Sequence, residues 1–162
     1  MSPRAAWRLE TLGFEQVYDY AGGKADWLGH ALPREGEAAS VPNAGELVDP
    51  HPPVCGLAER IADVHGRVDS SGHAFCVVVN DCGIVLGRLW QSKLEAVGPD
   101  LLVEQVMEPG PSTVRPSIDA GQLVERLAEG ERKAAIVTTP EGHLVGVFLR
   151  SEAERRLARL RA

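Results

Sequence analysis

Histidine and cysteine side chains are the groups in this chain that are best suited to metal binding or nucleophilic chemistry. The chain contains five histidines and three cysteines, at His30, His51, His65, His73, His143, Cys55, Cys76 and Cys82. Structural zinc sites usually show spacings such as Cys-x2-Cys or His-x3-His, and no pair of these residues has either spacing. We therefore predict no metal site, with Cys55 and Cys76 in the core and Cys82 in an exposed turn.

A phosphate-binding loop or a serine-based catalytic site would place the chain among the enzymes, and the sequence indicates neither. The nearest approach to a phosphate loop is Ala21-Gly22-Gly23-Lys24, which lacks the upstream glycine and the following Ser or Thr of that motif. A Ser/His/Asp arrangement is recognised by its geometry and cannot be argued from these residue types alone. We therefore expect no catalytic residues and no enzyme.

Any functional residue must be positioned by a duplicated unit, because the chain repeats itself at an offset of 59 residues. The offset places Gly83 on Gly142 and Gly87 on Gly146 without a gap. It also aligns apolar positions, namely Val78 with Val137, Leu86 with Val145, Val64 with Leu123 and Val68 with Leu127. Such a match indicates a repeated supersecondary unit. We expect Gly83 and Gly142 to take the positive φ of a tight hairpin, and Gly87 and Gly146 to mark a bulge or a close approach of backbone.

Each repeat has the pattern of a strand, a helix, two strands and a helix. In the second repeat a short turn precedes elements that we predict at residues 112–115, from about 119, at 134–139, at 143–149 and from there to the C-terminus. In the first repeat the corresponding elements are predicted at residues 53–55, 60–68, 75–79, 84–90 and 91–97. The most specific stretch is AAIVTTPEGHLVGVFLRSE, a hairpin with a central glycine in its second strand, followed by a helix that opens on an acidic residue.

This order, present twice, resembles the CBS motif, a small module named after cystathionine β-synthase. CBS motifs work in pairs, often called Bateman modules. The resemblance implies an α/β (α+β) fold in which two βαββα motifs pack as a pseudo-twofold pair. We call residues 53–102 copy 1 and residues 103–162 copy 2. The turn at residues 44–48 matches the turn at residues 102–107 weakly, and residues 34–52, which are rich in proline, are predicted to be a linker.

The resemblance also implies where a ligand would bind. In the family, adenine nucleotides lie in clefts between the paired motifs, and a Thr/Ser-x-x-Asp at the end of the last strand contacts phosphate and ribose. A carboxylate suits the ribose because it accepts hydrogen bonds from both hydroxyls. The corresponding residues are Leu149 and Glu152 in copy 2, but Trp90 and Lys93 in copy 1. The expected ligand-binding residues are therefore in copy 2, at Thr113, Val114, Ile136, Arg150 and Glu152. The expected ligand is AMP, ADP, ATP or S-adenosylmethionine, and no cofactor is required.

The N-terminal segment, residues 1–33, is too short to bury enough apolar area to fold alone. We predict a helix from Pro3 to Gly13, a strand at residues 14–20 and a second helix at residues 24–29. The text RAAWRLETLGFEQVYDYAGGKADWLGHALP resembles the closing part of a rhodanese-like domain, whose catalytic cysteine would lie upstream of Met1. The resemblance therefore implies a helix-strand-helix appendage without sulfur-transfer activity. Its aromatic residues are expected to pack on another surface, and they are Trp7, Tyr18, Tyr20 and Trp27.

The composition excludes several classes of protein. The 162 residues carry a net charge of −6 with 44% hydrophobic residues, which describes an ordinary globular protein and disfavours nucleic-acid binding. There is neither an apolar run of about 18 residues nor the apolar core of a secretion signal. An odd number of cysteines without a CxxC pair suits the reducing cytoplasm. The last helix carries Arg155, Arg156, Arg159 and Arg161. We favour packing of this helix on its own sheet or across a dimer over nucleic-acid contact.

We therefore predict a cytoplasmic regulatory or sensory protein that binds an adenine nucleotide or a related small ligand and has no membrane segment. Two alternatives remain open: a ligand-free structural or protein-interaction module, and an accessory to a rhodanese-type sulfurtransferase. A homodimer through the motif helices is also expected. The apolar helix positions available for its interface are Val64, Val68, Leu123 and Leu127.

Overall fold

The computed structural model of the chain describes residues 3–29, 32–36 and 41–160, so that His30 and Arg161 lie outside the described residues. The described helices are α1 (Pro3–Thr11), α2 (Gly23–Gly29), α3 (Ile61–Ser71), α4 (Gln91–Ala96), α5 (Val103–Val106), α6 (Ala120–Glu129) and α7 (Arg150–Leu160). The described strands are β1 (Val54–Cys55), β2 (Phe75–Val79), β3 (Val85–Trp90), β4 (Glu108–Pro109), β5 (Thr113–Val114), β6 (Ala134–Thr138) and β7 (Leu144–Leu149). This order confirms the mixed α+β class.

The two long helices of the repeats form because their apolar residues recur at helical spacing. In α3 the buried residues are Ile61, Val64 and Val68, and in α6 they are Ala120, Leu123 and Leu127. Both sets follow an i, i+3, i+7 pattern that places them on one face. Helix α6 begins where the side chain of Asp119 accepts a hydrogen bond from the amide of Gln122 at 2.9 Å. The predicted helices therefore lie where the hydrophobic periodicity placed them.

Each copy builds a small sheet around an antiparallel hairpin. In copy 1 the sheet order is β1-β2-β3-β4, and in copy 2 it is β5-β6-β7. Strands β1 and β2, and likewise β5 and β6, run parallel, whereas β2 with β3 and β6 with β7 are antiparallel. Gly83 and Gly142 take φ angles of 76° and 94° in the hairpin turns. These angles confirm that both turns need a residue that tolerates positive φ.

Two short segments cross from one copy to the other. We call residues 43–50 the first crossing segment and residues 102–109 the second; they are equivalent under the offset of 59. The second segment pairs with copy 1 through Arg88 and Glu108, and the first pairs with copy 2 through Asp49 and Val147. The amide of Asp49 donates to the carbonyl of Val147 at 2.9 Å, and the reverse hydrogen bond measures 3.0 Å. Each sheet is therefore completed by a segment that precedes the other copy in the chain.

The crossing segments also contribute to the hydrophobic core. Ala44, Leu47 and Val48 are buried among the apolar residues of copy 2, and Val103 and Val106 are buried in copy 1. The stretch predicted as a linker, residues 34–52, thus contains core residues. Its three prolines obscured this role because they discourage regular structure, and the described part of the stretch forms a short 3-10 turn at Ala44–Glu46.

Glycines in the second strand of each hairpin allow the crossing segments to approach. A Cβ atom added to Gly87 would lie 2.9 Å from the carbonyl oxygen of Glu108, and one added to Gly146 would lie 2.9 Å from Cβ of Val48. Both distances are shorter than real Cβ contacts. The expectation that these two glycines mark a close approach of backbone is therefore confirmed.

The two sheets pack against each other around a pseudo-twofold axis. Phe75 and Val77 of copy 1 and Ile136 and Val147 of copy 2 form one buried cluster between the sheets. At one end the two hairpins meet through a bridge between Ile84 and His143, which are equivalent positions under the offset of 59. Two equivalent residues that contact each other must lie on either side of the symmetry axis, so the axis passes between Ile84 and His143.

The N-terminal segment differs from its predicted helix-strand-helix order. Helices α1 and α2 form as expected, but residues 14–20 between them pair with no strand, so the predicted strand is wrong. The alternation of apolar and polar residues in this stretch lacks a sheet edge to pair with, and Phe14 and Tyr18 are exposed. Tyr20 packs edge-on against Trp27 at 5.1 Å between ring centroids, and Trp7 is exposed.

The helix positions predicted for a dimer interface are used within the chain. Val64, Val68, Leu123 and Leu127 are all buried beneath their own sheets, so the prediction that they offer a surface to a second chain is wrong. The face of each helix that carries them is fully occupied by its own core. Among the described residues, no helix combines the length and the apolar composition needed to cross a membrane.

Candidate functional site

A small cavity lies where β5 and β6 of copy 2 begin, next to copy 1. It has a volume of about 150 Å³. Its lining includes Thr113, Val114 and Ile136, three of the five residues expected to bind ligand. The other lining residues are Phe75, Arg88, Ser112, Leu123, Arg126, Leu127, Arg132, Ala134 and Ala135. Because Phe75 and Arg88 belong to copy 1, the cavity lies between the two copies.

Two arginines of copy 2 reach the cavity from the end of α6. Arg126 is in the last turn of that helix. Arg132 follows the turn that ends the helix, and the amide of Arg132 donates to the carbonyl of Leu127 at 2.7 Å. The chain leaves the helix through Gly130 and through Glu131, which takes a φ of 52°. Neither guanidinium has a hydrogen-bond or ion-pair partner among the described residues. Both positive charges are therefore available to a ligand.

The third arginine of the cavity is already paired. Arg88 donates two hydrogen bonds to the carboxylate of Glu108, at 2.9 and 2.8 Å, and its guanidinium carbon lies 4.5 Å from the ring centroid of Trp90. The indole nitrogen of Trp90 also donates to Glu108 at 2.8 Å. Hydrogen bonds from Arg88 and then Trp90 lower the pKa of Glu108 to about 2. Glu108 therefore holds the second crossing segment on β3 and offsets the charge of Arg88.

We expect the contribution of Glu108 to stability to be lost in acid. Folding lowers the pKa of Glu108 from 4.5 to about 2, so its ionised carboxylate stabilises the fold at pH values above 4.5. This stabilisation disappears as the pH falls towards 2. Urea unfolding of the parent and of Glu108→Gln should therefore differ at pH 7, and the difference should shrink between pH 4.5 and 2. Glu95→Gln, a change at an exposed glutamate, serves as the control. An equal difference between parent and Glu108→Gln at pH 7 and pH 2.5 would contradict the expectation.

The hydroxyl of Thr113 is oriented by a short chain of hydrogen bonds. Arg115 donates to Oγ1 of the buried Thr138 at 2.9 Å, and that hydroxyl donates to Oγ1 of Thr113 at 3.0 Å. Because the Thr113 oxygen accepts this bond, its own hydrogen is left to be donated. A negatively charged group in the cavity would accept it.

The remaining expected ligand-binding residues lie on α7 and do not line the cavity. Arg150 is 3.5 Å from Glu154, and Glu152 is 2.9 Å from Arg156. Both are pairs between residues four apart on an exposed helix face, which contribute only about 0.3–0.5 kcal/mol each. Leu149, which replaces the hydroxyl residue of the family pattern, packs against the cluster between the sheets.

The equivalent region of copy 1 differs in its side chains. Pro52 and Pro53 are buried there, and Trp90 packs edge-on against Phe75 at 5.4 Å. The positions equivalent to Arg126 and Arg132 are Arg67 and His73. Both are engaged: the guanidinium of Arg67 lies 2.8 Å from Glu59, and the ring of the buried His73 lies 3.2 Å from Asp49.

The cysteines do not form a reactive or metal-binding centre in the described part of the chain. Cys55 and Cys76 are buried and Cys82 is exposed, as expected. Hydrogen bonding with Cys55 and then burial raise the pKa of the Cys76 thiol, which makes it a poor nucleophile. No group of three or more His, Cys, Asp or Glu residues converges among the described residues.

The described architecture is shared with solved structures. Two of them are CBSX2 from Arabidopsis thaliana, 18% identical with a TM-score of 0.65, and the cytosolic domain of the Mg²⁺ channel MgtE, 21% identical with a TM-score of 0.64. A third is the CBS domain pair of MJ0100, 11% identical with a TM-score of 0.62. The chain has the fold of a tandem CBS domain pair. No protein-family model matches it, and no curated protein sequence is significantly similar to it.

The match concerns the CBS pair and leaves out part of the chain. It covers 75%, 73% and 74% of this chain for CBSX2, MgtE and MJ0100. It covers 97% of CBSX2 and 98% of MJ0100, but only 50% of the MgtE cytosolic domain. The resemblance of residues 1–33 to a rhodanese-like domain is not shown by these comparisons and stays a prediction.

Arg88, Arg126 and Arg132 are the cavity residues that the sequence analysis did not identify. A signal for one of them, Arg126, was present in the repeat. The offset of 59 aligns Arg126 with Arg67, but it aligns the ion-pair partner of Arg67, Glu59, with Ile118. The repeat therefore keeps the arginine in both copies but keeps its acidic partner only in copy 1. This difference indicates that the arginine of copy 2 is unpaired.

Proposed function

We propose that the chain is a regulatory CBS-pair protein that binds an adenine nucleotide or a related small ligand in the cavity of copy 2. The observation that carries the proposal is this cavity, which combines the apolar Val114 and Ile136 with the hydroxyl of Thr113 and unpaired arginines. The similarity of the chain to CBS pairs solved with ligands supports the same proposal. Those ligands are ATP for MgtE, AMP for CBSX2, and 5′-methylthioadenosine and S-adenosylmethionine for MJ0100.

The proposal includes one ligand site per chain rather than two. In copy 1 the equivalent region holds the buried Pro53, and the positions of Arg126 and Arg132 are taken by Arg67, which is paired with Glu59, and by His73, which lies beside Asp49. A ligand there would have to compete with Glu59 for Arg67 and with Asp49 for His73. Binding is therefore expected in copy 2 with a stoichiometry of one.

Glu152 keeps its proposed role as the acceptor for the ribose hydroxyls, with Arg150 beside it at the start of α7. To bind the ribose, Glu152 would have to leave Arg156, which lies 2.9 Å away. The cost is small because exposed pairs of this kind contribute about 0.3–0.5 kcal/mol. A ligand that fills the cavity would then extend towards the start of α7.

Calorimetric titration with AMP, ADP, ATP and S-adenosylmethionine tests the proposal. We expect one of them to bind with a stoichiometry of one, and Glu152→Ala to weaken that binding by roughly tenfold, because ribose hydroxyls would lose their acceptor. Lys93→Ala, at the equivalent position of copy 1, should leave the affinity unchanged. Glu152→Ala binding as tightly as the parent would refute the ribose contact, and the absence of heat with all four ligands would refute the function.

The wider proposal is a cytoplasmic protein without catalytic activity that acts as a homodimer. The free thiols of Cys55 and Cys76 suit a reducing compartment. A dimer would have to use surfaces other than the buried faces of α3 and α6.

One alternative is favoured by a specific observation. Exposed apolar side chains concentrate in the N-terminal segment, at Trp7, Leu12, Phe14 and Tyr18. Clustered exposed apolar residues often mark protein contacts, and this favours a ligand-free interaction module as the second candidate function. The titration above separates the two functions, because an interaction module would bind none of the four ligands.

A further inference from the structure

The two copies differ in whether two equivalent basic positions have an acidic partner. In copy 1, Arg67 is paired with Glu59, and His73 faces Asp49. In copy 2 the equivalent residues, Arg126 and Arg132, have no such partner among the described residues and line the cavity. The difference is built into the sequence, because Ile118 stands where Glu59 would repeat.

We propose that Arg126 and Arg132 hold the phosphate groups of the ligand, so that the cavity selects compounds with two or more phosphates. The inference rests on the proposed function of the cavity as the ligand site. Guanidinium groups form charge-assisted, often bidentate hydrogen bonds with phosphate oxygens. The hydroxyl of Thr113, whose hydrogen is free, and that of Ser112 supply further donors in the lining of the cavity.

The size of the cavity agrees with binding of the phosphate end rather than a whole nucleotide. Its volume of about 150 Å³ is below the roughly 300–1,000 Å³ of pockets that enclose drug-sized ligands. Only part of a nucleotide would therefore be enclosed, and the enclosed part lies beside unpaired positive charge. Arg88 adds little attraction because Glu108 already neutralises it.

The charge of the site also separates the candidate ligands. ATP and ADP bring several negative charges to the two arginines, AMP brings fewer, and adenosine brings none. S-adenosylmethionine carries a sulfonium cation, which the arginines would repel. We therefore expect affinity to fall in the order ATP, ADP, AMP, with adenosine and S-adenosylmethionine weakest.

The test is titration calorimetry of the full chain at fixed ionic strength without divalent cations. The probes are ATP, ADP, AMP, adenosine and inorganic tripolyphosphate. Arg126→Gln and Arg132→Gln should each weaken ATP and tripolyphosphate binding by about tenfold, because each loses a charged hydrogen-bond donor, and should leave adenosine binding unchanged. Arg155→Gln is the matched control, since Arg155 is exposed on α7 and does not line the cavity.

The outcomes separate this inference from the proposed function. Binding of adenosine as tightly as ATP, unaffected by either arginine variant, would overturn the phosphate site but keep the nucleoside site. Binding of tripolyphosphate that is lost in Arg126→Gln, with ATP bound no more tightly, would support the phosphate site and overturn an adenine-nucleotide function. Equal weakening of ATP binding by Arg155→Gln would overturn the phosphate site, and no binding of any probe would overturn both.

Discussion

Replacing Gly146 with alanine is expected to lower the free energy of unfolding by about 3 kcal/mol, the upper part of the range for an overpacked core position. The new methyl group would lie 2.9 Å from Cβ of Val48 and would also meet the backbone oxygen of Asp49. Neither group can move aside without breaking the paired hydrogen bonds between Asp49 and Val147. The first crossing segment would therefore have to leave the sheet of copy 2.

Chemical denaturation of the parent and the variant measures this effect. Gly66→Ala is the control, since Gly66 lies inside α3 with open space where its Cβ would be. That change should raise stability by roughly 0.5–1 kcal/mol, because alanine favours the helix. An unfolding midpoint of Gly146→Ala equal to that of the parent would show that the crossing segment does not pack on Gly146.

The second large effect is expected for Phe148→Ala, which should cost about 3–5 kcal/mol. The side chain of Phe148 is fully buried and packs in the core of copy 2. Part of that core comes from Ala44, Leu47 and Val48, which lie about 100 residues earlier in the chain. The cavity left by the truncation would therefore weaken both the sheet and the hold on the first crossing segment.

Phe14→Ala provides the matched control for this substitution, because Phe14 is 59% exposed whereas Phe148 is 0% exposed. Its cost in the same denaturation experiment should stay within about 0.5 kcal/mol, as for most surface changes. Similar losses in the two variants would mean that the N-terminal segment is packed more tightly than the exposure of Phe14 indicates.

The regular elements of the CBS pair followed from local patterns. Helices α3 and α6 are set by apolar residues at helical spacing, and the hairpins are set by apolar runs that flank Gly83 and Gly142. These signals are local because each depends on residues within one or two turns of chain. Local patterns cannot show that the two units are alike and pair with each other. The repeat at an offset of 59 residues indicated this.

The features that the sequence did not predict depend on distant parts of the chain. Gly87 and Gly146 indicated that something approaches the sheet, but nothing near them names the crossing segments as the approaching backbone. In the same way, the alternation at residues 14–20 is that of a strand, but a strand also needs a neighbour with free hydrogen-bonding groups. In the described structure residues 14–20 pair with no strand of either sheet.

The candidate site could be predicted only in part for a related reason. The resemblance named Thr113, Val114 and Ile136 as ligand-binding residues, and the structure brings them together in the lining of one cavity; their role in binding stays a prediction. The arginines were not recognised because a solvated arginine and one that awaits a ligand look alike in sequence. What separates Arg126 from Arg67 is a missing acid, and that difference is seen only when the partners are known.

The exchange of crossing segments also orders the events of folding. Copy 1 has every strand of its sheet once the chain has been made as far as Pro109. The first crossing segment, although made earlier, pairs with residues 116–120 and with β7 of copy 2, and β7 emerges about 100 residues later. Closing so long a loop is entropically costly, and contacts of this separation form slowly. During synthesis the earliest core residues, Ala44, Leu47 and Val48, therefore stay uncovered until copy 2 is made, and this interval is when the growing chain is most prone to aggregate.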